Sequence, residues 1–152
     1  MTEPMEMVAD PWSDPTVAER ILRSYRSWAV VGCSSDPSRP SHGVSRYLLS
    51  QGYAVTPVNP NEELVHGRPA YPDLRSVPAE GGPIEVVDLF RRSDAVVPHV
   101  EEAIEIGANA VWMQLGVWNQ EAAELAAHAG LLVVMNRCPA IDHPRLIGPG
   151  SA

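Results

Sequence analysis

VVGCSSDPSRPSHGVSRYL, residues 30–48, passes from a short apolar run through a glycine into a polar loop rich in serine and proline, and then into an amphipathic helical pattern. This is how a chain builds a strand, a phosphate-cradling loop and a helix. Gly32 lets the strand turn sharply, and Ser34 offers a hydroxyl. Ser41 reads as the helix N-cap. The N–H groups near His42 and Gly43 then point at the loop and carry the positive end of the helix dipole. Gly43, with no Cβ, allows the helix to pack close to the strand. The same pattern also suits an ordinary capped helix after a tight βα turn, and the loop alone leaves both readings open.

Outward from this stretch, apolar runs alternate with helical spacing. PTVAERILRSYR (15–26) has its apolar residues at Val17, Ile21 and Leu22, with arginines opposite. WAVVG (28–32) reads as a buried parallel strand, and YAVTPVNP (53–60) as a second strand that stops at prolines. Gly52 ends the helix between them. The middle, residues 61–82, is punctuated by Pro and Gly and holds one short helix near Leu74. IEVVDLF, NAVWMQLG and LLVVMN supply strands three, four and five. The helices between these begin at Pro98 and at an Asn119 cap, and the second stops at Gly130. RCPAIDHPRLIGPGSA is expected to trail away without regular structure.

Continuous apolar strands with crossover helices predict an α/β fold. We expect a single doubly wound Rossmann-like domain with a parallel five-stranded sheet, order 3-2-1-4-5, and helices on both faces. The domain is expected over residues 16–147, with an acidic flexible tail at 1–15 and a short flexible tail at 148–152. The start, MTEPMEMVADPWSDP, lacks the basic and then apolar pattern of a secretory signal, and no window reads as a membrane span. A cytoplasmic protein is the expectation.

Charge narrows the function. A formal net charge of −8 argues against nucleic acid as a partner. All 11 basic residues are arginines. That removes the P-loop lysine and Schiff-base chemistry, and leaves arginine forks, backbone N–H groups and helix N-termini to bind anions. No cysteine pair or histidine spacing suggests a metal site, and none is expected.

Ligands in open parallel sheets bind outside the carboxyl ends of the strands. That rule selects the loop from Gly32 to Gly43, then Asn59 and Pro60, then Phe90, Arg91 and Arg92, then Gln114 to Gly116, and Arg137 with Cys138. FRRS (90–93) brings the single phenylalanine and two adjacent arginines to a strand end. It reads either as a phosphate contact or as a core ring followed by a solvated pair. Side-chain direction alternates along an extended segment, so Arg91 and Arg92 need not face the same way. An NAD site usually places an acid after strand two, and PVNP offers Asn59 instead. The adjacent Ser41 and His42 diverge at a helix start, so no catalytic residue is assigned.

WAVVGCSSDPSRPSHGVSRYLLSQGYAVTPVNPN, VVDLFRRS and VWMQLGVWNQEAAELAAHAGLLVVMNRCP together resemble the stand-alone CoA-binding proteins. These are similar to the CoA-binding domain of the succinyl-CoA synthetase alpha subunit. The resemblance spans residues 17–141. It implies coenzyme A or an acyl-CoA as the ligand. Gly32, Ser34, Arg39, Ser41 and Gly43 would hold the phosphates, with Cys33 and Pro40 of the same loop also at the cofactor. Asn59, Pro60, Phe90 and Arg91 would line the nucleotide side, with Arg92 beside them, and Gln114 and Gly116 would lie near the pantetheine arm. The chain has no room for a phosphorylatable-histidine domain or an ATP-grasp domain, so the resemblance supports binding rather than ligase catalysis. A sensor, carrier or accessory subunit is the expectation. The alternatives are a detached subunit of an NDP-forming acyl-CoA synthetase, active with a partner chain, and an NAD(H)-binding redox module. A homodimer is a further option.

The CoA thiol draws attention to Cys33 and Cys138. In the expected order their strands are separated by one other, roughly 10 Å, too far for a disulfide. A mixed disulfide between Cys138 and CoA, favoured by Arg137 next door, stands against the simpler reading of a buried inert cysteine.

Overall fold

Ser27–Val31 (β1) is buried on both faces, and its period-two alternation splits the core in two. Trp28 and Val30 enter one apolar cluster, while Ala29 and Val31 enter the other. The computed structural model describes residues 11–148. Around β1 it forms a parallel sheet from Ala54–Val58 (β2), Val86–Leu89 (β5), Ala110–Met113 (β6) and Leu132–Val134 (β7). Leu64–Val65 (β3) and Arg68–Pro69 (β4) make a separate small hairpin.

The helices are Pro15–Ser24 (α1), Pro40–Ser50 (α2), Val97–Glu105 (α3), Gln120–His128 (α4) and Pro139–Leu146 (α5). Residues of α1, α2 and α5 pack on the Trp28 face, and those of α3 and α4 on the other. The doubly wound α/β layout is as the alternation predicts. Asn119 caps α4, its Oδ1 accepting from the Ala122 N–H at 2.9 Å. The segment near Leu74 is a 3₁₀ turn, Leu74–Ser76.

Two expectations are corrected. The sheet order is β2-β1-β5-β6-β7, which is 2-1-3-4-5 in the numbering of the five predicted strands, not 3-2-1-4-5. Pro57 explains the difference. Its carbonyl faces the outer edge of β2 and accepts from the Tyr71 N–H at 3.1 Å, but a proline has no N–H to give a full neighbouring strand. Among the described residues an isolated bridge, Val58 to Tyr71, covers that edge, and the third strand pairs with β1 instead.

The second correction is the chain after β7. It does not trail away but forms α5, started by Pro139 and packed on α1 and α2. The Arg137 guanidinium grips Asp142 through two hydrogen bonds of 2.7 and 2.9 Å, and the Tyr47 hydroxyl lies 2.8 Å from His143 Nδ1. Pro144 inside the helix hides it from a periodicity reading.

The expected N-terminal tail falls mostly outside the described residues, as does the end of the C-terminal one. Residues 12–14 dock: the Met135 N–H donates to Trp12 O at 2.6 Å, and Asp14 Oδ1 accepts from the Thr16 N–H to cap α1. Among the described residues no helix is long and apolar enough to cross a membrane.

Candidate functional site

The chain leaves β1 to build α2 and β2 on one side, then returns past β1 to build β5 on the other. This reversal opens a crevice between the ends of β1 and β5, the usual ligand position in such sheets. A cleft of about 860 Å³ lies there. Gly32 forms its floor with φ +86°, its N–H donating to Val58 O at 2.8 Å. The Phe90 N–H donates to Val31 O at 2.9 Å, so the two turns leave the sheet side by side.

The loop after Gly32 is tied by its own side chains. The Ser34 N–H donates to Ser41 Oγ, the Asp36 N–H to Ser34 Oγ, and the Ser38 N–H to Asp36 Oδ1. The Ser38 N–H and hydroxyl hold the Asp36 carboxyl below its ordinary range. The Ser35 N–H donates to Glu62 Oε2 at 2.9 Å, which likewise keeps the Glu62 carboxyl low.

Most of the expected residues line the cleft: Gly32, Ser34, Arg39, Pro40, Ser41, Asn59, Pro60, Phe90, Arg91, Arg92 and Gln114. Arg39 and Arg91 make no ion pair among the described residues, whereas Arg92 pairs with Asp94 on the open surface. Asn59 braces the wall, donating from Nδ2 to Cys33 O at 3.0 Å and accepting the Asn61 N–H on Oδ1. Gln114 is 6% exposed, and its Oε1 has no hydrogen-bond partner among the described residues.

Three expected residues lie elsewhere. Cys33 is fully buried beneath the loop with Sγ 3.5 Å from Ser45 Oγ, and burial pushes its thiol up to about 11. Gly43 is exposed, and a Cβ there would meet nothing within 4 Å, so close helix–strand packing is not its reason. Gly116 is turned away, its N–H donating to Asn136 Oδ1 at 2.8 Å.

The helix start also differs from expectation. Arg39 is the N-cap, and Ser41 is buried inside the first turn, where its hydroxyl accepts from the loop. The His42 N–H is occupied by Arg39 O. Arg137, expected beside the thiol, is committed to Asp142 and to Ser13 O. Cys138 lines the cleft, and both cysteines are free. In the observed order β5 and β6 separate their strands, which carries them further apart than expected.

Sequence reasoning missed Glu62, His99 and Val117, all on the cleft wall. Burial and the nearby Arg91 favour the neutral form of His99. The acid sought immediately after β2 is absent from PVNP, but Glu62 reaches the cleft from three residues beyond Asn59. Only the turn at Asn59, which brings residue 62 back over the sheet edge, makes this visible.

A family model described as the CoA binding domain matches residues 26–144. The chain belongs to this family. It is 36% identical over 132 residues to the uncharacterized protein YneT of Bacillus subtilis (strain 168), covering 86% of this chain and 96% of that one. The crystal structure of Prb, the PH1109 protein redesigned for binding, superposes with a TM-score of 0.84 at 42% identity, covering 89% of this chain and 93% of Prb. A hypothetical protein from Pyrococcus horikoshii OT3 gives 0.83 at 40% identity, covering 97% of this chain and 99% of the other. The dinucleotide-forming acetyl-coenzyme A synthetase 1 of Ca. Korarchaeum cryptofilum, in complex with phosphate and ADP, gives 0.65 at 26% identity. That match covers 77% of this chain but only 27% of the synthetase, so the likeness is to one part of a larger enzyme.

Proposed function

We propose that the cleft binds coenzyme A or an acyl-CoA non-covalently, and that the protein acts as a sensor, carrier or accessory subunit rather than as an enzyme by itself. The observation that carries this reading is the pairing of two arginines, Arg39 and Arg91, free of ion pairs among the described residues, with a deep cleft in a chain of net charge −8. Guanidinium groups that hold no ion pair at a sheet edge suit phosphate. Membership of the CoA binding domain family supports the same ligand.

In this reading Ser34, Arg39 and Ser41 hold phosphate beside Gly32, with Asn59, Pro60 and Phe90 shaping the nucleotide side. Gln114 lines the cleft, and in this reading it lies near the pantetheine arm. The bound ligand would bring its thiol or thioester, and the residues lining the cleft would orient it.

Calorimetric titration with CoA, 3′-dephospho-CoA and NAD tests the reading. Saturable CoA binding, weakened when the 3′-phosphate is removed and in Arg91→Ala, is expected. NAD binding without CoA binding would sink it. Glu62 gives the dinucleotide alternative a foothold, since a carboxylate near the end of β2 suits ribose hydroxyls. The likeness to part of an acetyl-CoA synthetase keeps the ligase-subunit alternative in play. Acyl-CoA formation only on mixing with a partner chain would establish that one.

A further inference from the structure

His99 lines the cleft from the first turn of α3, beyond the end of β5. Its side chain is 25% exposed, so the ring is half sheltered and still open to whatever enters the cleft. Nδ1 lies 3.9 Å from Glu102 Oε1, beyond hydrogen-bond reach. That contact turns Nδ1 along the helix and leaves Nε2 as the ring nitrogen for a ligand.

The charges around the ring come from several elements. Arg91, at the end of β5, acts on it directly. Glu102, one turn further along α3, has its Oε2 on Arg75 of the Leu74–Ser76 turn at 2.8 Å, and Arg75 also grips Glu105. The Glu102 charge is therefore already matched. Glu62 lines the same cleft but is held by the Ser35 N–H, and Arg92 pairs with Asp94 on the open surface. The first turn of α3 adds the positive end of a helix dipole. Burial, Arg91 and the dipole all oppose a cation, so the imidazole is neutral before ligand arrives.

A phosphate entering beside Arg91 reverses that balance. Its negative charge offsets the guanidinium and favours imidazolium, whose Nε2–H donates to a phosphate oxygen while Nδ1–H turns to Glu102 Oε1. We propose that His99 is a proton-linked phosphate contact, binding a phosphate group of the ligand jointly with Arg91 and taking a proton from solvent as it does so. This inference rests on the CoA reading of the cleft. The sign follows from linkage. The bound form of His99 has the higher pKa, so protons are taken up between the free and bound values, and affinity falls as pH rises through the bound value.

Calorimetric titration with CoA, in two buffers of different ionisation enthalpy, counts the protons. The ligand's own phosphate monoester titrates near pH 6 and releases protons on binding, but it does so equally in wild type and variant. The wild type should therefore take up a sizeable fraction of one proton more than His99→Gln at about pH 7. Its affinity advantage over His99→Gln should be about tenfold near pH 6 and should vanish by about pH 8.5, the difference between a charge-assisted and a neutral hydrogen bond. A histidine-ring NMR titration of the wild type gives a second reading that needs no variant, and CoA should raise the His99 pKa. CoA binding with equal proton uptake in both proteins, a pH-independent affinity ratio, or a His99 titration unmoved by CoA would each overturn the contact and leave the CoA reading standing. No binding of CoA at any pH would remove the reading beneath it and the contact with it.

Discussion

A Cβ placed on Gly32 would lie 2.3 Å from the Phe90 carbonyl oxygen. That oxygen belongs to the backbone at the end of a buried strand, so it has little freedom to yield. Residue 32 also holds φ +86°, where side chains are strained whatever the space. Two separate constraints thus demand glycine where β1 and β5 part and the cleft opens. Gly32→Ala should lower stability by about 1–3 kcal/mol and, in the CoA reading, weaken CoA binding by moving the Phe90 turn. Denaturant unfolding and calorimetric titration measure the two effects, and a variant with wild-type stability would contradict the pinch.

Arg91 is exposed and holds no ion pair among the described residues, so its removal should leave stability nearly unchanged. In the CoA reading Arg91→Ala should nevertheless weaken binding about tenfold or more, the worth of one charge-assisted hydrogen bond. The loss should shrink as salt is raised. Equal affinity in variant and wild type would remove Arg91 from the site.

Glu62 presents a carboxylate to the same cleft and occupies the Ser35 N–H. Against an anionic ligand it is repulsive. Glu62→Gln keeps an acceptor for that N–H and removes the charge, so CoA affinity should rise severalfold. A fall would instead mark Glu62 as a ligand contact and favour a nucleotide with free ribose hydroxyls.

Asp88 sits in the middle of β5, fully buried, with neither carboxyl oxygen hydrogen-bonded among the described residues. Burial pushes its pKa well above the ordinary value. Its folded pKa therefore exceeds its unfolded pKa of about 3.9. Its contribution to stability is fully present below that value and is lost as pH rises through the folded pKa. Asp88→Asn should flatten the decline in stability above about pH 4. Urea unfolding across pH 4–8 checks this, and parallel curves for variant and wild type would refute it.

Asp142 is 4% exposed and receives both Arg137 hydrogen bonds. Asp142→Ala strands a half-buried guanidinium and should cost roughly 3 kcal/mol. Hydrogen exchange should show the loss first in α5, because Arg137 joins that helix to Ser13 and so to the start of the described chain.

The amino-acid sequence by itself determined the α/β class, the five sheet strands and the edge where the cleft-lining residues collect. Those features depend on local composition: an apolar run such as WAVVG must be buried on both faces, and glycine must occupy the turn after it. Pro57 also carried the sheet order, since a strand lacking an N–H at its outer edge is poorly suited to a central place. The order was misread because the middle segment, residues 61–82, gives no periodic signal of which way it crosses. Only tertiary structure decided that α5 is a helix, because its support comes from the Arg137 clasp on Asp142 and the long-range pair of Tyr47 with His143 rather than from an apolar stripe. Tertiary structure likewise sealed Cys33 while leaving Cys138 on the cleft wall, turned Gly43 and Gly116 outward, and folded Glu62 back over Ser35. Composition sets what must be buried, but the direction a loop takes after leaving a strand depends on the neighbours it meets, and those belong to distant parts of the chain.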